Sequence, residues 1–375
     1  MLVPGALVDG KYRIVRLLGE GGMGVVYEGE NVRIARRVAI KVMHPAIARD
    51  RALVGRFERE AQAAAKIGSA HVADVLDLGD LPGGARYLVM EFLEGENLHT
   101  RLVRRRFLGP VDVSHIAIQL LEGLAMVHDA GIVHRDLKPP NVFLAKKGDA
   151  GDFVKILDFG ICKMLTRASL SDGTGGGDLL GTLSYMSPEQ FAHGSRKIDA
   201  RADIYSVGVI LYRCVTGNVP FRGTTLVEHA RLMKEGKAQD VRELAPDVDA
   251  GFAQIVHRAI EKDPAKRFPS ARALQSELVG WTNRANRIEH LLSDYLGTKL
   301  RSEPPKEAAV VPPRATQVKE EDVFDTDPDP VPTPTRIPRK KTRTQPMRNA
   351  PTLPTLTKPT IPTADDVKTT RPRKR

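Results

Sequence analysis

The chain has 375 residues, 41% of them hydrophobic, two cysteines (Cys162 and Cys214) and a formal net charge of +11. That is enough for one large or two moderate folded domains with some surplus, and it excludes a disulfide framework and a CxxC or His-rich zinc site. No window approaches twenty uninterrupted apolar residues, and Met1 to Gly10 lacks the basic start and apolar run of a signal peptide, so a soluble, cytoplasmic protein without a membrane span is expected.

After an N-terminal extension over 1–11, residues 12–43 alternate apolar runs with turn residues and predict three antiparallel strands. Between the first two lies Gly19-Glu20-Gly21-Gly22-Met23-Gly24-Val25-Val26. One reading is an ordinary hairpin turn. The other is a flexible lid whose missing side chains let backbone amides approach phosphates. Its position between strands, with no helix following, argues against a dinucleotide-binding fingerprint. Lys41 closes Val38-Ala39-Ile40-Lys41, facing inward along an apolar strand or outward from an edge. Residues 51–67 then read as a helix, with Leu53, Phe57, Ala61 and Ala64 at helical steps. Glu60 adjoins its Ala-rich face, and Glu58 is the competing carboxylate.

Strands over 72–78 and 86–92 complete a five-stranded sheet, and Leu93-Glu94-Gly95 reads as a connection between lobes. Helices follow over 97–107 and 112–130, the second with Ile116, Leu120, Leu124 and Val127 as its apolar stripe. Arg101, Arg104, Arg105 and Arg106 read as a solvated helix face, with substrate docking as the alternative. The chain then reaches His134-Arg135-Asp136-Leu137-Lys138-Pro139-Pro140-Asn141, and later Asp158-Phe159-Gly160. Acid, base and amide groups at these spacings, downstream of a Gly-rich loop and a strand lysine, form a specific signal.

Over about 12–280 these motifs resemble Hanks-type, eukaryotic-like Ser/Thr protein kinases, most closely the bacterial branch. The likeness extends through Ser187-Pro188-Glu189, where the family commonly has Ala-Pro-Glu, and the run Asp199 to Gly208, which resembles the buried helix under the catalytic loop. Arg267 matches the family's ion-pair partner for Glu189. The resemblance implies an α+β, two-lobed kinase fold: an N-lobe over 12–92 with a five-stranded antiparallel sheet and one helix, a hinge over 91–95, and a mainly helical C-lobe over 96–280. A helix over 281–300 carrying Ile288, Leu291, Leu292, Tyr295 and Leu296 would follow, packed on the C-lobe or in a dimer contact.

The same resemblance implies ATP in the cleft with Mg²⁺, or Mn²⁺ as an alternative. Leu18, Val26, Ala39 and Phe143 would sandwich the adenine, with Met90 behind it and backbone groups of Glu91 and Leu93 on its edge. Gly19, Gly21 and Gly24 would cover the phosphates, and Glu60 would hold Lys41 against them. Asp136 would orient the acceptor hydroxyl and take its proton, Lys138 would steady the γ-phosphate, and Asn141 and Asp158 would hold the metal. Lys138 and Thr182 point to Ser/Thr acceptors in protein substrates. All six of Lys41, Glu60, Asp136, Lys138, Asn141 and Asp158 are competent types, which favours an active enzyme over a pseudokinase scaffold. Arg135 would receive a phosphorylated activation loop, with Thr174 the main site and Ser171 second among the hydroxyls of 161–185. Homodimerisation would serve autophosphorylation in trans. Cys162 reads as a small buried hydrophobe rather than a redox thiol. Pro140 departs from the family's usual polar or small residue and would stiffen the loop without removing a catalytic group.

The basicity sits at the far end. Residues 331–375 hold twelve Lys and Arg against two Asp, 301–330 hold four against eight acidic residues, and fifteen of the 26 prolines lie beyond 300. Such a segment cannot bury enough apolar surface to offset its ordering entropy, so a disordered tail over 301–375 is expected. A linker that is also an autophosphorylation target (Thr342, Thr344, Thr352, Thr355) is favoured over a docking arm. No aromatic residue interleaves Arg336 to Arg348, so nucleic-acid binding is not expected.

Overall fold

The computed structural model describes residues 2–21, 24–44, 48, 50–82, 84–148, 151–158, 181, 183–193 and 198–302; side chains at 51, 52, 56, 60, 63, 192, 193 and 289–302 fall outside that description. The first lobe is built from β1 (Leu7–Val8), β2 (Tyr12–Gly21), β3 (Gly24–Asn31), β4 (Arg36–Met43), α1 (Arg51–Lys66), β5 (Val75–Asp80) and β6 (Arg86–Glu91). Its sheet is antiparallel throughout, in the order β1-β2-β3-β4-β6-β5. It therefore has six strands where five are expected. The added strand comes from the N-terminal extension, where Leu7 and Val8 pair with Arg13 and Tyr12. Two residues are too few to carry a period, and tertiary contacts hold them. Leu2 N–H donates to the Tyr27 hydroxyl (3.1 Å) and the Tyr87 hydroxyl donates to Asp9 (3.2 Å). The strand expected from Val72 begins instead at Val75, and Val72 forms a lone parallel bridge to Ile156 in the other lobe.

Strand alternation sorts the first lobe into two faces. Val38 and Ile40 of β4 join Val8, Tyr12, Ile14, Val25, Tyr27, Tyr87 and Val89 in one buried cluster. The opposite face carries Ala39, Lys41 and Met43, and Met43 packs with Leu53, Phe57 and Ala61 of α1 and with Leu88. Register does the rest: Val26 lies opposite Lys41, and Ala39 opposite Met90. Directly paired residues share a face, so four of the residues expected at the nucleotide lie on one side of the sheet.

The second lobe follows through β7 (Gly95–Asn97), α2 (Leu98–Arg105), α3 (Pro110–Asp129), β8 (Val142–Lys146), β9 (Asp152–Ile156), α4 (Pro188–His193), α5 (Arg201–Thr216), α6 (Leu226–Glu235), α7 (Val241–Leu244), α8 (Ala250–Ala259) and α9 (Ala271–Ser302). Strands β7, β8 and β9 form a small antiparallel sheet. The Asn97 side chain caps α2 through Thr100 N–H (2.8 Å), and Pro110 opens α3, where its missing N–H costs nothing. Long and apolar enough for a membrane span by composition, α3 is instead the central core helix, with Leu120, Leu121, Leu124 and Val127 buried. Helix α5 is buried along most of its length. It approaches α8 at Gly208, where a Cβ would fall 2.7 Å from that of Ala259. The helix expected after Trp281 is the far part of α9, which begins at Ala271, and Trp281 packs on Phe252 and donates to Asp249 (2.7 Å).

Candidate active site

The loop from His134 to Asn141 connects α3 to β8 and lies on the N-terminal end of α5. Asp203, fully buried on α5, holds it there. One carboxylate oxygen accepts from Arg135 N–H and the other from His134 N–H and the His128 ring, each at 2.8 Å. Burial alone would push this carboxyl up, but the bonds and charge from the histidines and the Arg135 amide outweigh it and hold it below the ordinary carboxylate range. Fixing the two amides fixes the turn. Arg135 sits at φ +63, in the left-handed region, and its carbonyl accepts from Gln190 Nε2 (3.0 Å). The Arg135 Nε is buried without a hydrogen-bond partner among the described residues.

Asp136 is nearly buried, and its Oδ2 faces Lys138 Nζ (3.1 Å) and Asn141 Nδ2 (3.4 Å). Asn141 Nδ2 also donates to the Asp136 carbonyl (2.8 Å), so the amide nitrogen is taken and its oxygen faces elsewhere. A 3₁₀ turn over Pro139–Asn141 makes this arrangement. Pro140 sits inside it, where no hydrogen bond asks for its missing N–H. Asn141 carbonyl then accepts from Leu157 N–H (2.9 Å), and His134 Nε2 meets Leu157 O (3.1 Å), which fastens the segment before Asp158 to the loop.

Asp158 has φ +45 and pairs with Lys41 across the cleft, Nζ to Oδ1 at 2.7 Å. Burial raises its carboxyl, and the Lys41 ammonium, with smaller help from His134 and Lys138, more than reverses this, so it stays ionised below the usual range. Lys41 thus faces inward. Glu58 is engaged with Arg86 (2.9 Å), and the side chain of Glu60 lies outside the described residues. A metal held here would have the Asp158 carboxylate and the Asn141 amide oxygen as hard donors. No cluster of three or more acidic, His or Cys ligands occurs among the described residues.

Around this centre, Ala39, Val26 and Phe143 are half-buried and Leu18 is more exposed. Leu93 makes no backbone hydrogen bond among the described residues, whereas Glu91 N–H already bonds Asp74 O (3.0 Å). Of the three lid glycines only Gly24 is required by packing: a Cβ there would stand 2.1 Å from the Val42 carbonyl, while Gly19 and Gly21 face open space. Ser171, Thr174, Thr182, Phe159, Gly160 and Cys162 lie outside the described residues, as does everything beyond 302.

Some contributors are not evident in sequence reasoning. His128 and Gln190 serve the loop from a distance. Lys155, in the apolar run Phe153-Val154-Lys155-Ile156, bonds the side chain of Glu91 (2.5 Å) and the Val72 carbonyl (3.2 Å). A lone lysine inside an apolar strand is the same signal that marks Lys41. The expected ion pair between Glu189 and Arg267 is present and bidentate (2.7 and 2.8 Å). Arg267 is only 2% exposed, gives its remaining donors to the carbonyls of Glu261, Arg201 and Lys262, and lies over the Tyr205 ring.

A family model described as protein kinase domain matches residues 12–279. Serine/threonine-protein kinase pkn3 of Myxococcus xanthus is 38% identical over 76% of this chain and 52% of its own length. Serine/threonine-protein kinase pkn2 of the same organism is 41% identical over 74% of this chain and 33% of its own. The chain therefore spans about half or less of these relatives. Among solved structures, the kinase domain of Mycobacterium tuberculosis PknI superposes with a TM-score of 0.59 at 26% identity, covering 75% of this chain and 99% of that one.

Proposed function

The chain belongs to the protein kinase domain family, and from that premise we propose that it is a serine/threonine-protein kinase transferring the γ-phosphate of ATP to hydroxyls of protein substrates. The observation that carries this is the pairing of Lys41 with Asp158 (2.7 Å) beside the cluster of Asp136, Lys138 and Asn141 (2.8–3.4 Å), the two joined where Leu157 N–H donates to the Asn141 carbonyl (2.9 Å). Phosphoryl transfer needs positioning and charge neutralisation more than covalent help, and this set offers both. Asp136 accepts the proton of the attacking hydroxyl as its oxygen bonds to the γ-phosphorus and the bridging bond to ADP breaks. Lys138, already 3.1 Å from that carboxylate, balances charge on the transferred group. Lys41 holds the remaining phosphates. Asn141 and Asp158 would hold Mg²⁺, which neutralises phosphate charge when bound. Ala39, Val26, Leu18 and Phe143 pack the base, Met90 closes the pocket behind it, and Glu91, through its carbonyl, and Leu93 present backbone groups to its edge.

Activation by autophosphorylation is part of the reading. Its support is that the Arg135 Nε, next in the chain to Asp136, is buried without a hydrogen-bond partner among the described residues, together with a sequence over 161–185 that is rich in hydroxyls and includes Ser171, Thr174 and Thr182. The test is incubation with labelled ATP and Mg²⁺, wild type beside Asp136→Asn. Label should enter Ser and Thr in the wild type alone; equal labelling of both proteins, or of neither, overturns the assignment.

A further inference from the structure

We infer that Lys155 and the side chain of Glu91 form a positioning strut that sets the adenine-binding backbone, so that the strand leading to the metal residue Asp158 also controls nucleotide affinity. The inference rests on the proposed ATP site and adds two side chains to which the reaction itself assigns no part.

The connection runs across the lobes. Glu91 ends β6, and its Oε1 accepts from both Lys155 Nζ (2.5 Å) and Asp74 N–H (2.9 Å), while Glu91 N–H returns to Asp74 O (3.0 Å). Lys155 also donates to the Val72 carbonyl (3.2 Å). Three stretches otherwise distant in sequence therefore meet at one carboxylate: the end of β6, the segment 72–74 that follows α1, and β9. Strand β9 is itself tied to that segment, because Ala73 N–H donates to Ile156 O (3.0 Å) and Ile156 N–H to His71 O (2.8 Å). Lys155 stands opposite Phe143 in the β8–β9 register, so both share the sheet face proposed to meet the base. Three residues later comes Asp158.

Burial makes this contact matter. The side chains of Lys155 and Glu91 are 11% and 18% exposed, so removing one partner leaves a desolvated charge on the other. The neighbouring pair of Arg37 and Glu94, with Arg37 over the Phe92 ring, grips the same connection from β4 but is 50% and 65% exposed. Solvent and salt screen it, and it should contribute little. Of these two side-chain ion pairs, the one at Glu91 is thus the shielded one; Lys146 N–H holds the far end through the Glu94 carbonyl (2.8 Å), and the backbone of Leu93 lies between the two.

The test is steady-state kinetics and nucleotide-free amide exchange on Lys155→Met, Glu91→Gln, the double variant and Glu94→Ala. Glu91→Gln preserves size, which keeps the question answerable if Lys155→Met folds poorly. Each strut variant should raise KM for ATP about fivefold with kcat changed less than about twofold, and the double variant should equal the worse single, as for one shared interaction. Glu94→Ala, which breaks the exposed pair and leaves the Arg37 bond to buried Glu28 (2.9 Å) in place, should stay within about twofold of wild type. Exchange at the Asp74 and Glu91 amides should quicken about tenfold in the strut variants. An unchanged KM, a fall confined to kcat, additive effects, or unchanged exchange would each overturn the strut. A wild type that binds no ATP would overturn the kinase reading instead, and the exchange measurement would still decide the strut.

Discussion

Asp203→Ala isolates the anchor under the catalytic loop. The wild-type carboxylate is fully buried and satisfies two loop amides and one imidazole, all at 2.8 Å. Alanine leaves those donors without an acceptor in a place water does not reach. Hydrogen bonds to a charged group contribute about 1.5–3 kcal/mol each, and breaking a buried charged constellation by removing one member typically costs about 3–5 kcal/mol. The expected loss is therefore about 3–5 kcal/mol, on the order of 10 °C in melting temperature for a domain of this size. Because the turn at Arg135 is held in the left-handed region by the same bonds, phosphotransfer should fall further than stability alone explains. The pH dependence has a definite sign. The folded-state pKa of Asp203 is depressed, so its contribution is present above the unfolded carboxylate range and is lost as pH falls through the folded value. Denaturant melts at pH 7 and near pH 3, beside kcat at pH 7, test this. A variant within about 1 kcal/mol of wild type at pH 7, or a difference that does not shrink in acid, would refute the reasoning.

Two further outcomes follow from the geometry. Gly24→Ala forces a Cβ against the Val42 carbonyl and should destabilise the first lobe by about 1–3 kcal/mol. Gly21→Ala meets open space and should stay within about 0.5 kcal/mol, so parallel thermal melts of the two variants separate packing from nucleotide chemistry. Burial raises the Cys214 thiol to about 12 and leaves it 1% exposed, so alkylation read by peptide mass spectrometry at pH 8 should spare Cys214 in the native protein and modify it in denaturant; rapid native labelling would contradict the packing.

Local chemistry was legible from the sequence wherever a residue type and its immediate neighbours settle the structure. Alternation in Val38-Ala39-Ile40-Lys41 already separates a core face from a cleft face, and the periodic stripe of α3 marks a buried helix. The constellation around Asp136 is likewise compressed into eight residues, so spacing alone brings Asp136, Lys138 and Asn141 together. The kinase fold is what the family resemblance carried by these motifs implies.

Tertiary structure decided what depends on contacts between remote segments. Leu7–Val8 becomes a strand because Tyr27 and Tyr87 lie across the sheet to receive its neighbours. Lys41 points inward because Asp158, 117 positions away, supplies its counter-charge, and Glu58 is paired with Arg86. The apolar run around Lys155 marks it as an inward lysine, as it does Lys41, but not what it pairs with, since its partners come from the end of β6 and from the segment after α1. Sequence specifies which groups are available and which way each element faces; pairing of buried charge is a long-range property, settled only when the folded chain removes water from both partners at once.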